Sequence, residues 1–384
     1  MAMKVPTSAP AQPNTINTQP AVVTSTPDQQ FQWATVGSDN NVYTASITDP
    51  SFVSTISNPL STEPGYGRCL KLLFTATGGT GTTAVAANDA PWNFINMLNF
   101  QDAGGNTLFN LDGYSLYLMN KYCGLTGTYG LGDPALDDEY SAINSAGNFQ
   151  FVVRIPFEYA LAEGLVAFGN QSAMPKLNIT TNPISTVYST QPATAPTNVQ
   201  VTCDIEFYTI PNDGNILPPN FGSSFQAQVQ SGSPTFGANS ATIVNTNHLG
   251  HQLSGVIFII RDSTNTRIDA FPGSGAYLTV KLSNTTWVYK RTAQITNDMR
   301  LLFNTFDPPY SRETGVIVLS NKDSYTKANL GLLDSGLKAK NTVGGTTLSF
   351  QGNTWGSGGT PPYTATIIPM LIAPPSKTLI SPVG

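Results

Sequence analysis

The only two histidines, His248 and His251, stand as His-x-x-His in the run NTNHLGH. Imidazoles at that spacing suit zinc when a third ligand joins them. None is close in the chain, and a glycine lies between the two, so they read as loop or strand-end residues. Paired carboxylates are the stronger chemical possibility, because glycosidases act with two acids facing across a cleft and some are built on β-sandwiches. The candidates are Asp137, Asp138, Glu139, Glu158, Asp204 and Glu206. Asp204 and Glu206 share the polar phase of one strand, the usual place of solvated acids, and 137–139 falls in a loop. Gly78-Gly79-Thr80-Gly81 lacks the lysine and following helix of a phosphate loop, and no Gly-x-Ser-x-Gly elbow occurs. Cys69, Cys123 and Cys203 are an odd number without CxxC spacing, which indicates neither a disulfide framework nor a zinc site. The sequons at Asn170, Asn178 and Asn284 carry little weight without a secretory signal. These residues assign no catalytic, metal or cofactor site.

Composition points elsewhere. Charged residues are 11% of the 384, against roughly a quarter in typical soluble domains. Protein–protein interfaces are depleted in Lys, Glu and Asp, so much of this surface is expected to be covered by other subunits. The net charge of −5 and the absence of a Lys/Arg cluster argue against direct nucleic-acid binding, which draws its affinity from counterion release at basic surfaces. The opening MAMKVPTSAPAQP has no apolar stretch of the secretory kind. The longest apolar runs, Val256 to Ile260 and Ile367 to Ala373, are far shorter than the roughly 20 residues of a spanning helix.

The elements that would position any site are strands. Phe149, Phe151, Val153, Ile155 and Phe157 alternate with Asn148, Gln150, Arg154 and Glu158, which predicts a strand with one buried face that ends near Pro156. Val199, Val201, Cys203, Ile205 and Phe207 alternate in the same way, which makes Cys203 a core thiol. Eight strands are expected before residue 210, at about 31–36, 42–48, 67–75, 93–100, 106–119, 148–157, 176–181 and 199–209. Gln101 to Asn106 is the loop of a hairpin, and Tyr159 to Glu163 a short helical crossing.

Pro211 to Pro219 concentrates breakers and reads as a domain boundary. Eight further strands follow, at about 225–229, 241–245, 254–261, 276–282, 286–290, 315–320, 346–351 and 363–372, with a helix at Asn297 to Phe306. Val256 to Ile260, apolar in both phases, suits a strand covered on both faces. The expected organisation is a flexible arm over 1–30, a first jelly roll over 31–210, a linker over 211–224, a second jelly roll over 225–372 and a tail over 373–384. Two tandem eight-stranded jelly rolls, all-β with short helices in the loops, are the fold that this count favours.

Three blocks resemble the double jelly-roll major capsid proteins of tailless, internal-membrane, double-stranded-DNA bacteriophages, the tectivirus group. Ala84 to Gly124, which reads VAANDAPWNFINMLNFQDAGGNTLFNLDGYSLYLMNKYCG from Val85, is similar to the family's first-barrel hairpin and the aromatic-rich strand after it. Phe149 to Ile179 resembles its strand, the exit at Ile155-Pro156-Phe157, the crossing and the returning strand from Pro175. Thr296 to Leu319 looks like its second-barrel helix and the strand GVIVLS.

The resemblance implies a structural protein without catalysis or cofactor. It implies a homotrimer that packs with neighbouring trimers into an icosahedral shell in the virion, after synthesis in the bacterial host's cytoplasm. It also implies contact with minor vertex and membrane-associated capsid proteins, an internal viral membrane touched by the termini, and no direct nucleic acid. A carbohydrate-binding β-sandwich spike and a β-sandwich glycosidase are the alternatives.

Overall fold

The computed structural model describes residues 36–60, 65–122, 133–159, 162–170, 172–209, 217–218, 221–229, 235–236, 242–246, 251–269, 277–282, 285–303, 313–320, 340–341, 346–350 and 359–373. The arm over 1–30, Cys123, His248, most of the Pro211 to Pro219 boundary and the tail after Ala373 lie outside these residues.

Among the described residues sixteen strands are five residues or longer. The first eight are β1 (Val36–Ile47), β2 (Ser54–Pro59), β3 (Gly65–Thr77), β4 (Ile95–Gln101), β5 (Thr107–Leu111), β6 (Phe149–Pro156), β7 (Lys176–Thr181) and β8 (Asn198–Thr209). The second eight are β9 (Ser224–Gln228), β10 (Thr242–Thr246), β11 (Gln252–Arg261), β12 (Tyr277–Leu282), β13 (Thr285–Arg291), β14 (Val316–Ser320), β15 (Thr346–Phe350) and β16 (Tyr363–Ala373). Helix α1 (Gly113–Tyr122) lies between β5 and β6, and α2 (Thr292–Phe303) between β13 and β14.

The two sets repeat one topology. The first builds sheets of order β1-β8-β3-β6 and β2-β7-β4-β5. The second repeats the first order as β9-β16-β11-β14, and pairs β10 with β15 and β12 with β13, with β15 lying beside β12. Every strand therefore has its counterpart eight strands later, and each set carries a helix between its fifth and sixth strands. Each set shows the paired four-stranded order of a jelly roll.

The sets are joined through backbone. Strand β9 pairs parallel with β5, Ala227 opposite Phe109 and Gln228 opposite Asn110, so that β14-β11-β16-β9-β5-β4-β7-β2 run as one sheet. Residues directly opposite in a ladder share a face. On one face of the second set Phe225, Ala227, Ile257, Ile259, Val316, Val318, Ile368 and Met370 are buried. This face turns toward the first set, with the Phe225 and Phe109 ring centroids 5.9 Å apart. Val256, Phe258, Ile260, Ile317, Leu319, Ile367 and Leu371 fill the opposite face and are buried as well. Strand β11 is thus covered on both sides, as its unbroken apolar run requires. Most of the buried apolar residues of both sets form one continuous cluster, and Tyr66, Ala162, Leu165 and Tyr208 form a small second one.

Phe149, Phe151, Val153, Ile155, Pro156 and Phe157 are buried, as are Val201, Cys203, Ile205 and Phe207. Pro156 ends β6, an outer strand of its sheet, where a missing N–H disrupts no ladder. Burial pushes the Cys69 thiol up to about 12, with Glu206 adding to it, and Cys203 is raised by burial in the same way.

Four expectations are corrected. The strand expected over 106–119 ends at Leu111, and α1 takes its place. Asp112 caps this helix: its Oδ1 accepts from the Ser115 N–H at 2.8 Å and its Oδ2 from the Ser115 hydroxyl at 2.6 Å. Nine of its ten residues are buried, so no polar phase betrays the helical period. Strand β2 was absent from the expected set because Ile56 is its one large apolar residue and its pairing comes from the backbone of β7. Helix α2 begins at Thr292, not Asn297, with Ile295 and Met299 buried one turn apart. Finally, of Tyr159 to Glu163 the described residues are not helical: the Tyr159 N–H donates to the Glu163 carbonyl, and Ala162 and the following Gly164 are at positive φ.

Candidate functional site: the charged seam between the strand sets

Among the described residues two assemblies of paired charges are buried in this sparsely charged chain. The first lies within the first set. Arg68 on β3 places Nε and Nη2 each 2.7 Å from Glu158 Oε2, the side chains being 3% and 4% exposed. The Ala162 N–H and the Tyr208 hydroxyl donate to Oε1 at 2.7 and 3.1 Å, and the guanidinium lies over the Tyr208 ring at 4.6 Å. The turn after β6 is folded onto this carboxylate. Next to it, Tyr159 and Ser223 share a hydroxyl hydrogen bond of 2.8 Å, and Tyr66 meets Phe221 edge to face. The chain entering the second set is seated here.

The second assembly lies between the sets. Arg261, at the end of β11, meets Asp89 Oδ2 at 2.5 Å, and Arg267 Nε meets Asp89 Oδ1 at 2.6 Å as a charge contact. Arg267 also donates to Glu313 Oε2 at 3.0 Å. The Lys121 ammonium, from the last turn of α1, lies 2.8 Å from Glu313 Oε1 and 2.9 Å from Asp133 Oδ2. In spatial order the charges run Arg261, Asp89, Arg267, Glu313, Lys121, Asp133. Signs alternate throughout, and the sum is zero.

Tyrosines line this seam. The Tyr117 hydroxyl donates to Glu313 at 2.9 Å, the Glu313 N–H donates to the Tyr122 hydroxyl at 2.8 Å, and the Arg267 guanidinium lies 4.8 Å from the Tyr114 ring centre. Burial opposes charge on Glu313, but Lys121, Arg267 and Tyr117 outweigh it and hold the carboxyl below the usual glutamate range. Burial, with Glu313 beside them, raises the hydroxyls of Tyr114 and Tyr117 far above the ordinary phenol range.

The acids considered as glycosidase pairs are placed otherwise. Asp137 pairs with Arg154 at 2.6 Å and Glu139 with Lys71, both over the outer face of the β3–β6 pair. Asp204 Oδ1 accepts from the Asn41 N–H at 2.7 Å. Glu206 stands opposite Cys69 in the β8–β3 ladder, and Glu158 is in the Arg68 seat. These contacts dock loops and strands on one another. Among the described residues no group of His, Cys, Asp and Glu could hold a metal ion.

Asp89, Lys121, Asp133, Arg261, Arg267 and Glu313 went unmarked in the sequence because they come from five separate stretches. The available signal was isolation: Lys121 in LMNKYC and Arg261 directly after VIFII are charges in apolar surroundings, where only a paired charge is tolerated.

No protein-family model matches the sequence, and no curated protein is similar to it. Among solved structures the chain is similar to PBCV-1 VP54 fitted into a reconstruction of the virophage Sputnik, at 11% identity and a TM-score of 0.61, over 88% of this chain and 94% of that one. It is also similar to the STIV MCP, the virus being Sulfolobus Turreted Icosahedral Virus, at 12% identity and a TM-score of 0.55, over 89% and 97%. A quasi-atomic model of the PBCV-1 virus capsid matches at 13% identity and a TM-score of 0.55, over 88% and 94%. Identity this low speaks to the fold, and together with a strand order that repeats after eight it gives the conclusion that the chain is a double jelly roll, built as those viral capsid structures are.

Proposed function

We infer that this chain is a major capsid protein, the shell subunit of a tailless double-stranded-DNA phage with an internal membrane. The observation that carries the reading is the repeated eight-strand order over nearly the whole chain, in the arrangement seen in the viral capsid structures. A shared sheet, one continuous core and a neutral charged seam make the two halves a rigid block. Charge depletion leaves walls suited to packing against copies of the same chain.

In this reading the first jelly roll spans 31–210, the linker 211–224 and the second 225–372. Three chains form a pseudo-hexagonal trimer, and trimers tile an icosahedral shell in the virion after synthesis in the bacterial cytoplasm. The arm over 1–30 and the tail over 373–384 reach neighbouring trimers, minor vertex or membrane-associated proteins, or the membrane itself. Nucleic acid is not contacted, and no cofactor or catalysis is required.

Light scattering on the purified full chain tests this. The expected mass is about three times the chain's 40.8 kDa. A strictly monomeric species at micromolar concentration, or a particle in which this chain is a minor band, would overturn the reading.

A further inference from the structure

The inner end of the charged seam holds more than an ion pair requires. Lys121 and Asp133 are 6% and 7% exposed, and Lys121 Nζ touches both Asp133 Oδ2 at 2.9 Å and Glu313 Oε1 at 2.8 Å. The other oxygen of Asp133, Oδ1, accepts from the Ala135 backbone N–H at 3.0 Å. The Tyr117 and Tyr122 rings stand 5.5 and 5.9 Å from the ammonium. Here an amine nucleophile and a carboxylate are held in contact through Oδ2. A second carboxyl group touches the nucleophile, and an N–H meets the oxygen that would gather negative charge. Those are the parts of an amide-forming centre.

We propose that Lys121 Nζ and Asp133 Cγ condense into an intramolecular isopeptide bond, with Glu313 as the catalytic residue. One proton passes from Nζ through Glu313 to Oδ2, which leaves a neutral amine and a neutral carboxylic acid. The amine lone pair attacks Cγ, and the carbonyl electrons move onto Oδ1 against the Ala135 N–H. Glu313 then takes a second proton from nitrogen and delivers it to Oδ2. The Cγ–Oδ2 bond breaks, Oδ1 regains its double bond, and water leaves. Ammonium and carboxylate have become an amide with one hydrogen on nitrogen, and Glu313 returns to its starting form. Nothing is oxidised or reduced.

Three surrounding features favour this reaction. Arg267 holds Glu313 Oε2, so Oε1 stays on Lys121. Burial keeps bulk water from reversing the condensation. Pro134 follows Asp133, and its nitrogen has no hydrogen, so the common loss of water by ring closure onto the next backbone nitrogen is blocked at this residue. The bond ties the last turn of α1 to the 3-10 turn Pro134–Leu136 at the seam, and it stands independently of the capsid reading.

Intact-mass measurement of the full chain tests the proposal. The expected mass is one water below that of the sequence, and a digest should contain a branched peptide that joins Lys121 to Asp133. Lys121→Arg should restore the full sequence mass. Asp133→Asn should lose ammonia instead of water, because the amide nitrogen then leaves. Glu313→Gln should slow linkage by about a hundredfold or more. A natural chain at full sequence mass, with the two residues recovered in separate peptides, would mean an ion pair alone and would overturn the proposal. So would a water deficit that persists in Lys121→Arg, or unchanged linkage in Glu313→Gln.

Discussion

The Arg68–Glu158 pair and the six-charge seam are both buried, yet they bind the molecule in different ways. In the first, one cation and one anion face each other inside a single strand set, and the remaining acceptor positions are taken by a backbone N–H and a tyrosine. In the second, Asp89, Arg267, Glu313 and Lys121 each touch two opposite charges, and the string crosses from one set to the other. A closed pair concentrates its energy in one contact. A string shares it, so the loss of one member leaves each neighbour with another partner, except Arg261 and Asp133 at the ends.

That contrast is most exposed by breaking the closed pair. Glu158→Ala removes the carboxylate that faces the buried Arg68 guanidinium, and a loss of about 3–5 kcal/mol is expected in denaturant unfolding. Replacing both, Arg68→Met with Glu158→Leu, should cost less than the single change. A single-mutant loss below about 1 kcal/mol would show that water reaches the pair and would remove the distinction.

A cut in the string should cost less. Asp89→Asn keeps the shape but removes the charge between Arg261 and Arg267, and the expected loss is about 1–3 kcal/mol. Arg267 keeps Glu313, so the deficit should be smaller than for Glu158→Ala. A loss as large as that of the closed pair would mean that the string acts as one indivisible unit.

The smallest effect is expected at Asp137, whose pair with Arg154 is partly open, the side chains being 12% and 26% exposed. Burial works against its charge, but the Glu139 N–H and Arg154 lower its pKa below the ordinary aspartate range. A depressed carboxyl contributes stability that is present above its unfolded pKa, about 3.9, and is lost as pH falls through the lower folded value. Asp137→Asn should therefore cost less than about 1 kcal/mol at pH 7, and the gap to the natural chain should close in acid. A gap that widened in acid would reverse this sign.

The legible parts of the fold were those in which one strand face is apolar and the other polar. Phe149 to Phe157 and Val199 to Phe207 announced their buried faces through alternation, and Pro156 announced the end of a strand. Helix α1 could not be read this way, because burial all round removes the polar phase that distinguishes a period of 3.6 from one of 2. Strand β2 failed for the opposite reason, since it is polar and is held by backbone pairing that composition does not report. The duplicated eight-strand plan was legible from punctuation by turns and breakers, without any residue-level repeat.

The sequence by itself determined an all-β chain of two strand sets, short of charge and without a motif for catalysis or metal. These properties are local, or are sums over residues, and so survive without knowledge of distance. Tertiary structure alone decided that β9 continues the sheet of β5, that the two sets share one core, and that Lys121, Asp133 and Glu313 meet. The physical reason is separation along the chain. Glu313 lies nearly two hundred residues from Lys121, and a contact over that span leaves no period or spacing in the chain, only isolated charges that the folded molecule must pair.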